Sequence, residues 1–86
     1  MATKYARAAG GIWGTDATWS TASNGAADTT HPIAGDTAYF DDHSGAVTVD
    51  AAEACAVVDC NTVGAYASTL TINSGQVLTM TSHMIL

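Results

Sequence analysis

Residues 47–57, VTVDAAEACAV, and residues 70–80, LTINSGQVLTM, state one pattern twice. At an offset of about 23 residues, within the range of stacked repeat architectures, Val47 falls on Leu70, Thr48 on Thr71 and Val49 on Ile72. Asp50 then meets Asn73, Glu53 meets Gln76, Ala54 meets Val77, Cys55 meets Leu78, and Val57 meets Met80. Each unit is a short alternating strand, a polar corner (DAAE or NSGQ) and a second alternating strand. Alternation puts Val47, Val49, Cys55 and Val57 on one face, and Leu70, Ile72, Leu78 and Met80 on the matching face.

Two arrangements suit such a repeat. Consecutive hairpins would make a small antiparallel β-sandwich, but a hairpin tip favours Asn-Gly or Asp-Gly, and DAAE reverses a chain poorly. Stacked coils need the corner only to bend, with like residues lying on like. The expected fold is therefore all-β: a short parallel β-solenoid-like stack of about two coils, residues 47–86. Residues 11–46 do not fit the repeat and hold both tryptophans, the only proline and many turn residues. They are expected to form an irregular cap over the first coil, built on Trp13, Trp19, Pro32 and Phe40, with TAYFD as a lead-in strand. Residues 1–10 are expected to be a flexible arm.

Composition narrows the function classes. The chain has 86 residues, enough for one domain, and a formal net charge of −6 with Lys4 and Arg7 as its only cations. That balance disfavours nucleic acid and anionic membrane surfaces as partners, since both need concentrated Lys and Arg. Charged residues make up only 12%, so the surface is dominated by Thr, Ser, Asn, Gly and Ala, as in extracellular or virion β-proteins. The opening residues MATKYARAAGGIW lack an apolar core of secretory length, and no stretch approaches a transmembrane span. Cys55 and Cys60 are then expected to be free thiols, Cys55 as a small buried hydrophobe.

No constellation of residues suggests catalysis or a cofactor. The acidic group Asp36, Asp41, Asp42, Asp50 and Glu53 lacks the Asp-x-Asp-x-Asp-Gly loop of calcium sites and reads as solvated turn carboxylates. Asp41 and Asp42 are adjacent, so on a strand they point to opposite faces and cannot act as a glycosidase pair. His31, His43 and His83 are scattered, and exposure is the expectation for all three. No metal, cofactor or enzymatic role is assigned.

The order Trp13, Trp19-Ser20, Asn24-Gly25, Pro32, Gly35-Asp36, Ala38, Phe40-Asp41, then VTVDAA and LTINSGQVLT, resembles the N-terminal capping segment and first coils of parallel β-helix proteins. Such segments occur in structural proteins of tailed bacteriophages, both decoration and fibre proteins, and in autotransporter-type adhesins. Without an export signal the phage branch is the expected one. The resemblance implies a virion structural protein, a capsid decoration or cement protein synthesised in the host cytoplasm. It would associate with itself, as a trimer, and dock on the major capsid or another virion protein. Alternatives are a tail- or head-fibre module, or a carbohydrate-binding adhesive module using Trp13, Trp19 and Tyr39. Candidate interface residues are Lys4, Tyr5 and Arg7 in the arm, and the apolar Met84, Ile85 and Leu86. Leu78→Asp is predicted to unfold or dissociate the protein, because it sets an unpaired charge in the core; an unchanged melting curve would count against the register.

Overall fold

Short β-branched runs separated by Gly, Asp and Asn corners give short strands, and a computed structural model of the chain, describing residues 2–86, contains eight. They are β1 (Thr3–Ala6), β2 (Gly11–Ile12), β3 (Trp19–Ser20), β4 (Thr37–Tyr39), β5 (Val47–Val49), β6 (Glu53–Asp59), β7 (Leu70–Ile72) and β8 (Leu78–Ile85). One 3-10 turn, Asp16–Thr18, precedes β3. The fold is all-β with mixed sheets: a five-stranded sheet in the order β3-β1-β4-β6-β8 and a three-stranded sheet in the order β2-β5-β7.

Pairing within these sheets is parallel except where β3 runs antiparallel to β1. From β4 onward, each successive strand lies in the other sheet from the one before it. An antiparallel sandwich does not describe this topology, and β3 makes the larger sheet mixed. The repeat register holds for the first strand of each unit, where Val47 pairs with Leu70, Thr48 with Thr71 and Val49 with Ile72.

The second strand departs from expectation by two residues. Cys55 lies beside Met80, and Leu78 lies beside Glu53. The NSGQ corner is the cause: Gln76 N donates to Asn73 O, Gly75 takes φ +80°, and the turn runs on through Val77 before β8 begins. A shift of two leaves every side chain on its expected face, because the period of a strand is two.

A second departure changes faces. Ala56 N and Val57 N both donate to Asp36 O, which bulges β6 and reverses the alternation after Cys55. Val58, not Val57, therefore joins the core.

Residues 3–6 are not a flexible arm. β1 is hydrogen-bonded between β3 and β4, and its inward side chains Lys4 and Ala6 are buried. The N-terminal segment thus supplies a rung of its own, with β1 beside β4 and β2 beside β5. What lies between, residues 13–36, is an excursion that brings β3 onto the outer edge of β1.

The core centres on aromatic edges. Trp13 and Trp19 are fully buried and meet edge-on with ring centroids 4.9 Å apart, and Phe40 sits 5.5 Å from Trp19 and 5.1 Å from Tyr66. Each indole N–H is satisfied: Trp13 Nε1 donates to Pro32 O at 3.2 Å and Trp19 Nε1 to Trp13 O at 2.8 Å. Pro32 is buried beneath them. Cys55 is a buried free thiol and Cys60 a half-buried one.

Corners of successive rungs stack closely. Gly10 has φ +62°, and a Cβ there would lie 2.1 Å from Ala46 O. At Gly75 the φ is equally left-handed, but a Cβ would meet nothing within 4 Å. Gly10→Ala is therefore expected to destabilise by about 3 kcal/mol or more, since backbone must move. Gly75→Ala is expected to cost only about 1 kcal/mol. Urea denaturation of the two variants checks the contrast.

Candidate interaction surface

Parallel register stacks like positions into columns, and four columns define the core side. Val47 and Val49 are fully buried, whereas Leu70 beneath Val47 is half-buried and Ile72 beneath Val49 is 47% exposed. Across the other sheet Ala38 and Val58 are fully buried, while Met84 in the same column is 41% exposed. Along β8, Leu78 is buried, Met80 is half-buried and Leu86 just beyond the strand is 84% exposed. Leu70, Ile72, Met80 and Met84 point the same way as the buried residues paired with them, Val47, Val49, Cys55 and Val58. They meet solvent because no further strand lies over them.

The backbone is open at the same place. β8 is hydrogen-bonded to β6 on one side, and its other edge has no strand partner among the described residues. Val77 O accepts from Glu53 N, and Ile85 O accepts from Cys60 N. Alternation on either side of the register shift between Met80 and His83 then aims the N–H and C=O groups of Leu78, Met80 and Met84 outward. An apolar groove of about 510 Å³ adjoins this edge, lined among others by Cys60, Tyr66, Leu70, Met84 and Leu86. Burial pushes the Cys60 thiol and the Tyr66 hydroxyl up from their ordinary values, so both stay neutral near pH 7. Burial pushes Cys55 up to about 11, which leaves it an unreactive core side chain.

Charge is distributed unequally. All eight acidic residues and both cations lie at or before Asp59, so residues 60–86 carry no Asp, Glu, Lys or Arg. Edge strands of soluble proteins are usually protected by Lys, Pro, a bulge or brevity. β8 spans eight residues and has neither Lys nor Pro.

The remaining expected interface residues fall elsewhere. Lys4, Tyr5 and Arg7 lie on or next to β1, separated from β8 by β4 and β6, so the arm and the C-terminal residues do not form one surface. Lys4 Nζ is buried against the Asp28 carboxylate and donates to Thr30 Oγ1 at 2.6 Å. Arg7 donates to Ala17 O at 2.9 Å and Gly25 O at 3.2 Å, pinning the excursion. Tyr5 stacks on Tyr39 at 5.0 Å. The two cations are engaged within the chain and are not reaching for an acidic neighbour.

Several carboxylates expected to be solvated are buried. Asp36 accepts from the backbone N–H of Ala2 at 2.8 Å and of Ile33 at 3.0 Å. Asp41 accepts from His43 N, Ser44 Oγ and Ser23 Oγ. Asp59 closes the next turn through Asn61 N and Thr62 N. These groups pair donors that a tight corner would otherwise leave unmet. Asp42 is exposed, and it and Asp41 lie in the turn after Tyr39, off any strand. His31 is not freely exposed: its Nδ1 lies 2.8 Å from Asp16 and its Nε2 3.8 Å from Glu53. These residues border a second cleft of about 430 Å³, whose walls include Lys4, His31 and Asp36. Among the described residues no group of three or more His, Cys, Asp or Glu is placed to hold a metal ion.

Trp13 and Trp19 cannot act as sugar platforms, because both rings are wholly inside the core. Asp28, Val58 and Tyr66 matter to the structure and were not singled out from sequence. A Tyr two residues after Gly64, the one glycine of that turn, was the one available cue, for Tyr66. Comparison with family models, with curated proteins and with solved structures returned no match.

The carboxylates set a pH dependence. Hydrogen bonds from Lys4 and Thr29 hold Asp28 below the usual value. Burial raises Asp59, but hydrogen bonds from Thr62 and Asn61 outweigh it and leave the group lowered. A lowered folded pKa contributes stability that is present above the unfolded value and lost as pH falls through the folded one. Glu53, raised by burial, acts in the opposite sense around its own titration. Stability is expected to fall on acidification below about pH 4. Asp28→Asn should lower the urea midpoint at neutral pH and flatten that acid slope.

Proposed function

We propose that the chain is a structural component of a tailed-phage virion, the capped end of a short parallel β-solenoid. It acts by self-association and by docking on the particle surface as a decoration protein. The alternation of strands between two sheets and the five parallel pairings support the solenoid reading. One observation carries the assembly role: at one edge of the larger sheet the chain folds back as the two-residue β3, whose Trp19 carbonyl accepts from Asp28 N, whereas at the other edge the eight-residue β8 has no partner among the described residues. A core cross-section left in water is costly, since apolar surface gains about 25 cal/mol per Å² on burial, and it is the expected signature of a contact surface.

A carbohydrate-binding module is less well supported, because its two best aromatic platforms are buried. The absence of charge beyond Asp59 suits a protein neighbour better than a polyanion. Immunogold labelling of purified particles, with antibody against the chain, tests the virion role. Label on intact particles is expected. Label confined to the cell envelope, or glycan-array binding abolished by Tyr39→Ala, would overturn it.

A further inference from the structure

We infer that the partner at the open end is a second copy of the chain, paired through antiparallel β8 strands about a two-fold axis. The inference rests on the structural reading above and specifies the contact it uses.

Three observations carry it. The first is chemical: Leu78–Ile85 reads LTMTSHMI, with no Asp, Glu, Lys or Arg to grip a partner of opposite charge. A copy of net charge −6 can nonetheless approach, because its fixed charges all lie at or before Asp59, leaving the last stretch of chain free of them. The second is topological. At the far edge of the larger sheet β3 is only two residues long and its Trp19 carbonyl already accepts from Asp28 N, so head-to-tail growth through that sheet has little edge to use. A contact in which the same strand serves both partners closes after two copies. This gives a pair where the sequence suggested three.

The third is register. The outward backbone groups on either side of the register shift belong to Leu78, Met80 and Met84, all of one parity. An antiparallel two-fold ladder pairs each such residue with another of the same parity. With Ser82 opposite its own copy, Met80 faces the second copy's Met84, and Leu78 faces the second copy's Leu86. These are core-side residues, and the exposed columns of both copies become one continuous interior. The end of a molecule measuring 29 × 24 × 22 Å offers a face on the order of 500 Å². A pair would then bury about 1,000 Å² in total, the lower bound for a specific interface. The expected dimer is accordingly of modest affinity.

Sedimentation of the purified chain over a concentration series tests this directly. A monomer–dimer equilibrium is expected, retained or strengthened in high salt because screening relieves the repulsion between two acidic copies. Met84→Lys places a charge on the exposed column, and Leu86→Lys places one at its end. Each should weaken the dimer on the order of 100-fold while leaving the circular dichroism spectrum unchanged. A monomer at every concentration, a trimer, or a dimer unaffected by Met84→Lys would overturn the pairing. None of those results would by itself remove the particle labelling on which the virion role stands, so the two readings fail separately.

Discussion

Parallel pairing, in the repeat's register between β5 and β7 and two residues off between β6 and β8, obliges inward positions to lie on one another, and the rest of the molecule follows from that constraint. Each rung hides the inward side chains of the rung before it. Ala38 is hidden by Val58 and its neighbours, and Val47 by Leu70 and its neighbours. Such a stack has two ends, and hydrogen bonding cannot satisfy either from within. The protein treats its ends differently, closing one with a folded-back strand and leaving the other as a strand edge with apolar columns beneath.

The closed end explains the composition of the first half. A chain of this size buries too little surface to be robust on aliphatic packing alone. The excursion brings Trp13 and Trp19 into contact with Phe40, and these large rings supply much of the buried area. Their polar N–H groups are satisfied by carbonyls of the same excursion, so the cap is held by direction as well as by burial. The buried carboxylates do similar work at the corners. Asp36, Asp41 and Asp59 each follow or open a tight bend, where a side-chain acceptor pairs backbone donors that no strand can reach.

The asymmetry of charge and the asymmetry of capping coincide. Cations and anions all lie at or before Asp59, and the uncharged part supplies β7 and the open edge strand β8. An assembly role accounts for both with one cause, since charges at the open rung would oppose its coverage.

Strand content, the absence of helical spacing, the alignment of Val47–Val49 with Leu70–Ile72 and the burial of both tryptophans were legible in the sequence. They depend on a period of two and on side-chain size, which are local properties. The shift of Cys55 from Leu78 to Met80 was not legible, because corner length depends on how Asn73, Gly75 and Gln76 turn in three dimensions. Nor was the exchange of Val57 for Val58: the bulge arises from one carbonyl, Asp36 O, accepting from two successive donors on a neighbouring strand. The placement of β1 inside the sheet was likewise decided by tertiary structure, since four residues carry too weak a pattern to reveal partners more than thirty positions away. Local alternation is written in the chain, whereas register, bulges and the identity of the open edge arise from contacts between segments distant in sequence.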